Sequence, residues 1–166
     1  MDFVKITDSC YALINGVNTT AFILPSQVVM VDAGARRLPT EMQAVRRQIE
    51  GLASKPVKTV ILTHFHSDHT HSLPFYSDCT IIASTRLAKH LIDAKRKTIL
   101  GFPVVAPTEL FEDSLELQDG SVRLIIKRTG GHTDDSSYVF FPNDKVLVAG
   151  DNLMPGYPWG GKGSSL

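Results

Sequence analysis

The chain has 166 residues, 43% hydrophobic and 20% charged, a balance that fits one folded domain with a sizeable core and excludes a disordered chain. Seventeen basic residues offset seventeen acidic ones, so the charge points to neither a nucleic-acid nor a membrane surface. No apolar run reaches the roughly 18 residues of a membrane-spanning helix.

The first ten residues carry acids where a signal peptide needs basic side chains, and no long apolar segment follows. A cytoplasmic location is therefore the default expectation. Cys10 and Cys79 lie far apart and read as core or surface thiols, not as a disulfide framework.

Residues 2–32 read as short strands. Cys10 to Ile14 ends at Asn15-Gly16, a hairpin signal. Thr19–Leu24 and Gln27–Val31 follow, separated by Pro25-Ser26, and predict an antiparallel meander. Asp32-Ala33-Gly34 then marks a tight turn. Its carboxylate is either held by backbone donors or buried beneath a site, and a supporting role is favoured over a catalytic one. Pro39-Thr40 starts a helix with Thr40 as N-cap. Met42, Val45, Ile49 and Leu52 recur at helical spacing, with Arg46, Arg47 and Gln48 on the outer face. Val57–Leu62 is an apolar strand, Leu73-Pro74-Phe75 a short interrupted helix, and Cys79–Ala83 a further buried strand. Thr85–Lys97 is amphipathic, with Leu87, Ala88, Leu91 and Ile92 inward and the basic residues in water; His90 stands alone on it. Residues 98–108, with Gly101, Pro103 and Pro107, either line a substrate entrance or pack on the sheet. Strands at 115–117, 122–126, 137–141 and 145–149 complete the pattern.

The densest chemistry lies where Val60-Ile61-Leu62 stops. His64, His66, Asp68, His69 and His71 follow within nine positions, four of the six histidines of the chain. Imidazole and carboxylate are the donors that zinc and similar cations prefer. In extended backbone His64 and His66 point the same way, and a turn must bring Asp68 and His69 back toward them. Six consecutive residues do not easily supply four ligands to one metal; two adjacent metals are easier to satisfy. His71 falls outside this pattern and reads as a solvated residue opening the next helix. Two further stretches follow predicted strands. Gly130-Gly131-His132-Thr133 lets the backbone approach a site closely, and Gly150-Asp151 repeats the strand–glycine–acid pattern.

The segment H-x-H-x-D-H at His64–His69, with G-G-H-T at Gly130–Thr133 and G-D at Gly150-Asp151, resembles the metallo-β-lactamase superfamily over about residues 10–155. The resemblance implies an α+β fold, a four-layer αββα sandwich, formed by residues 1–166 as a single domain. It further implies His64, His66 and His132 as ligands of a first metal, Asp68 and His69 of a second, and Asp151 as bridge between them. Two Zn²⁺ ions with a bridging hydroxide would then hydrolyse an ester, thioester, lactone or amide, with Asp68 and Asp151 in catalytic roles and iron or manganese as alternative metals. Family members usually carry a later histidine ligand and a closing helix. No histidine follows His132, and residues 153–166 read as a Gly- and Ser-rich loop-like tail. The resemblance thus implies a domain cut short at its C-terminus, with a weaker second metal site and exposed apolar surface that favours a homo-oligomer. A small-molecule substrate is expected, without nucleic-acid or membrane partners. Asp151 stands where β-lactamases of the superfamily usually carry Cys or Ser, so hydrolysis of β-lactams is an alternative, as is a truncated, non-catalytic metal- or partner-binding domain.

Overall fold

A computed structural model describes residues 3–14, 17–34, 39–93, 98–99 and 102–153. Four short strands come first: β1 (Val4–Lys5), β2 (Cys10–Leu13), β3 (Thr19–Ile23) and β4 (Val28–Val31). They pair antiparallel in that order. The expected Asn15-Gly16 turn lies outside the described residues. Helix α1 (Pro39–Ala53) leads to β5 (Val57–Ile61), then to the short helix α2 (Ser67–Thr70) and a 3₁₀ turn at Leu73–Tyr76. Strand β6 (Thr80–Ser84), helix α3 (Thr85–Asp93) and the ribbon β7 (Thr98–Ile99) and β8 (Phe102–Pro103) precede β9 (Glu109–Phe111). Strands β10 (Ser114–Asp119), β11 (Val122–Arg128), β12 (Ser137–Phe141) and β13 (Val146–Val148) finish the order, with a 3₁₀ turn at Gly150–Asn152.

Among the described residues, β1–β6 and β9 form one seven-stranded sheet, and β10–β13 a four-stranded antiparallel sheet. Strands β4, β5, β6 and β9 run parallel, because helices carry the chain back between them. Side-chain alternation along β4 divides the core in two. Val28 and Met30 join Val45 and Ile49 of α1 and Leu87 and Leu91 of α3 in a helix–sheet cluster. Val29 and Val31 face Leu124, Ile126, Val139 and Phe141 of the second sheet. Phe22 and Phe141 meet across that interface with ring centroids 5.1 Å apart. A strand with both faces covered must be apolar at every position, and all of Val28–Val31 is buried. Helices, seven-stranded sheet and four-stranded sheet thus stack as consecutive layers of the expected α+β sandwich.

Several expectations are corrected. The helix starts at Pro39, so Thr40 lies in its first turn and is not the cap; proline suits the first helical position, where its missing N–H would be unpaired in any case. Leu52 and Ile92 are exposed at 53% and 72%, because periodicity gives an angle around a helix and not whether another layer covers that arc. Residues Ala94 to Lys97 of the expected helix, and Leu100-Gly101, lie outside the described residues. In the open segment after them, Val104 and Val105 pack against the helix–sheet core.

Arg46 does not serve the solvent face. Its guanidinium binds both Asp78 oxygens at 2.6 and 2.8 Å, donates to the Phe75 carbonyl at 3.0 Å and lies over the Tyr76 ring. It ties α1 to the turn entering β6. Lysine lacks the planar fork, so Arg46→Lys is expected to lower stability by about 1–2 kcal/mol, read from the urea midpoint.

Candidate metal centre

The site forms where β4 and β5 end. Asp32 follows β4 with φ +61°, a left-handed conformation that Asp tolerates better than most residues. It is 2% exposed, and three donors converge on its carboxylate: Thr63 N–H at 2.8 Å, Thr63 Oγ1 at 2.8 Å and His69 Nδ1 at 2.8 Å. This is the buried support read from the sequence. A ring that donates from Nδ1 to a carboxylate keeps Nε2 free as a donor atom for a metal.

The backbone of α2 is anchored to the same turn. Ala33 N–H donates to the His69 carbonyl at 2.9 Å, and Ser72 N–H to the Gly34 carbonyl at 3.1 Å. That docking also buries His71, which is 5% exposed and not solvated as expected. The second sheet is fixed to the site by Ser137 N–H donating to the Thr63 carbonyl at 2.8 Å. Gly150, at φ +55°, lies so close to Thr63 that a Cβ there would be 2.8 Å from Thr63 Oγ1. Only glycine lets the Asp151 turn approach this closely.

All six expected donor residues converge into two groups that share Asp151. In the first, His66 Nδ1 lies 3.0 Å from both His64 Nε2 and His132 Nε2. Asp151 Oδ2 completes it at 3.9 Å from His64 Nε2 and 3.7 Å from His132 Nε2. A tetrahedral cation with bonds near 2.05 Å needs its ligand atoms about 3.3 Å apart, and these separations bracket that value. In the second group, His69 Nε2 lies 3.4 Å from Asp151 Oδ1 and 3.8 Å from Asp68 Oδ2. His69 Nε2 is buried without a close hydrogen bond, the kind of orphaned atom that a cation would satisfy. Both donor sets therefore fit a metal.

The protonation states differ between the groups. Burial and the neighbouring His69 push His64 down to about 3, and burial lowers His66, so these rings are neutral and ready to ligate. Burial alone would lower His69 as well, but the Asp32 and Asp151 carboxylates raise it to about 10. Asp151 is drawn down to about 2 by the facing His69, despite burial. The His69 proton therefore stabilises the metal-free fold fully below the ordinary imidazole value of 6.5, and that contribution is lost as pH rises through about 10. A cation in the second group must displace this proton; in the first it displaces none from His64.

His90, read as isolated, is not. It pairs with Asp134 at 2.6 Å and stacks on Phe65 with ring centroids 4.6 Å apart. Phe65 stands between His64 and His66, so α3 supports the segment that carries them. Sequence periodicity could not reveal this, because the two partners, Phe65 and Asp134, come from two other stretches. A cavity of about 430 Å³ opens onto His69 and Asp151, walled by β2 and β13 side chains including Cys10, Leu147 and Val148.

Residues 14–159 match the family model of the metallo-beta-lactamase superfamily. The chain belongs to the metallo-beta-lactamase superfamily. Members of this superfamily are metal-dependent hydrolases, and this chain has a His/Asp cluster that could hold a metal. The chain is 26% identical over 141 residues to a lactamase-like protein of Emericella nidulans, covering 85% of this chain and 41% of that protein. It is 27% identical over 139 residues to a protein of Methanocaldococcus jannaschii described as a probable metallo-hydrolase, covering 80% of this chain and 65% of that one. It thus spans well under the full length of either relative. Among solved structures, metallo-beta-lactamase IND-7 shares the fold with a TM-score of 0.74 at 21% identity, covering 99% of this chain and 79% of that one. No helix among the described residues is long and apolar enough to cross a membrane.

Proposed function

We propose that this superfamily domain is a zinc-dependent hydrolase of small acyl compounds, with esters, thioesters, lactones or amides as the substrate class. The observation that carries this reading is the sharing of Asp151 between two adjacent donor groups, one of three imidazoles and one of Asp68 and His69. His64, His66, His132 and Asp151 would hold the first cation; Asp68, His69 and Asp151 would hold the second. Bound divalent cations supply a Lewis acid and lower the pKa of water toward neutrality.

The chain's own residues do the rest. Asp32 fixes the tautomer and direction of His69. Asp68, whose side chain is 47% exposed, would take up a proton at its carboxylate and pass it to solvent. The adjoining cavity gives room for a small substrate beside Asp151. The two centres differ in strength because the first offers four donors with His64 held neutral, whereas the second offers three and must first lose the His69 proton.

Metal counting on protein purified without chelator should find one tightly held equivalent and a second that binds more weakly. Two equally tight equivalents would contradict the ranking. Hydrolysis of a panel of ester, thioester, lactone and β-lactam substrates with added Zn²⁺ should be abolished by His64→Ala and by a chelator. Turnover that survives both would overturn the hydrolase reading, and metal uptake without turnover on any substrate would favour a non-catalytic domain.

A further inference from the structure

The donors of the first group come from three places in the chain. His64 and His66 follow β5 beside the Asp32–Thr63 pair. Asp151 sits in a turn held against Thr63. His132 follows Gly130 and Gly131 at φ +67° and +110°, and its loop is tied to α3 farther along, through Asp134. Bonds within its loop, from Thr129 and Gly130 N–H to the Ser136 carbonyl and from Thr133 N–H to Ser136 Oγ, close the loop on itself. They do not connect it to Asp151.

The Asn152 side chain does. Asn152 Oδ1 accepts the His132 N–H at 2.9 Å, and Asn152 Nδ2 donates to Thr129 Oγ1 at 3.2 Å. The carboxamide grips the loop on both sides of the glycine pair. It also accounts for Gly131: a Cβ there would lie 2.5 Å from Asn152 Oδ1 and evict it. Asn152 neighbours Asp151 in the same 3₁₀ turn, whose Asn152 N–H donates to the Ala149 carbonyl at 3.3 Å. Asp68 and His69 reach the site from α2, where no contact with Asn152 occurs among the hydrogen bonds that hold them.

We infer that Asn152 is a positioning residue that latches the His132 loop onto the Asp151 turn, so that these two donors reach the first metal as one rigid unit. The inference rests on the proposed ligand set. Its effect falls on the first centre, because only that centre contains His132. An acceptor at this position is required for the His132 N–H; a donor is not, since Thr129 Oγ1 can itself donate. Aspartate should therefore replace asparagine, and alanine should not.

The test compares the parent chain with Asn152→Ala and Asn152→Asp. Co²⁺ titration followed by d–d absorption reads the metal, and hydrogen exchange of the His132 amide reads the latch. Asn152→Ala should weaken the first Co²⁺ by about 10–100-fold, the usual effect of losing a partner that orients a ligand. It should also change the d–d envelope and speed exchange at His132. Asn152→Asp should restore all three readouts to near the parent values. Should the alanine variant not fold, Asn152→Ser, whose side chain is too short to reach His132, carries the same expectations. Parent-like Co²⁺ affinity and spectrum in the alanine or serine variant would overturn the latch, as would weakened binding that aspartate does not restore. A parent chain that takes up no Co²⁺ would overturn the metal reading instead. The latch then stands or falls on the His132 amide alone, and unchanged exchange in Asn152→Ala or Asn152→Ser would sink it.

Discussion

Asp151→Asn is expected to abolish hydrolysis and to weaken both metal equivalents at once. Its two carboxylate oxygens serve different groups: Oδ2 faces His64 and His132 at 3.9 and 3.7 Å, and Oδ1 faces His69 at 3.4 Å. Asparagine keeps the shape but loses the charge, and its amide nitrogen cannot ligate a cation. The charge also matters before any metal binds, because Asp151 is one of the two carboxylates that hold the proton on His69. Loss of an orienting partner typically costs 10–100-fold in metal affinity, and loss of a shared ligand should exceed about 100-fold in turnover. Asp68→Asn provides the contrast, since Asp68 belongs to the second group alone. It should weaken only the second equivalent. Two equivalents retained by Asp151→Asn at parent affinity, measured by competition with a chromophoric chelator, would refute the shared-ligand arrangement.

Asp32→Ala should be the most destabilising single change at the site, by about 3–5 kcal/mol, because it leaves a buried charge on His69 short of a partner and strands the Thr63 donors. Alanine is also strained at φ +61°, which asparagine tolerates. Asp32→Asn therefore separates the two effects. Its single carboxamide oxygen cannot satisfy three converging donors, and its NH₂ must face one of them. We expect a loss of about 1–3 kcal/mol in urea unfolding, together with weaker binding of the second metal as His69 loses its fixed tautomer. An Asp32→Asn urea midpoint equal to that of the parent would show that the Thr63 and His69 bonds contribute little.

Much of the candidate donor set is legible in the sequence. His64, His66, Asp68 and His69 are close in sequence, so local backbone geometry alone nearly brings them together. His132 and Asp151 each follow a strand with glycine immediately before, a pattern that signals close backbone approach. The supporting groups were harder to read. Asn152 looks like an ordinary turn residue, and its role appears only when the loop after β11 lies beside the turn after β13. Arg46 looked like a residue of an outer helix face and His90 stood alone on its helix, because helical periodicity is blind to partners supplied by other elements. Asp78 for Arg46 and Phe65 with Asp134 for His90 come from outside their helices. The hydroxyl of Thr63 carries no sequence signal either, yet it joins Asp32 to the turn at Gly150.

The cluster at His64–His69, with His132 and Asp151, determines by sequence alone which donor atoms the chain can offer a metal, because ligand chemistry belongs to residue type. The apolar alternation of the strands likewise determines which faces are buried, because side chains alternate wherever backbone is extended. Only the tertiary structure decided how the donors divide into two groups, that Asp151 lies in both, and that His69 is raised by Asp32 and Asp151 while burial lowers His64. Those outcomes depend on distances of 3–4 Å between residues up to 87 positions apart (His64 to Asp151) and on how far each is buried. Burial and long-range proximity are properties of the packed sheets, and no local pattern encodes them.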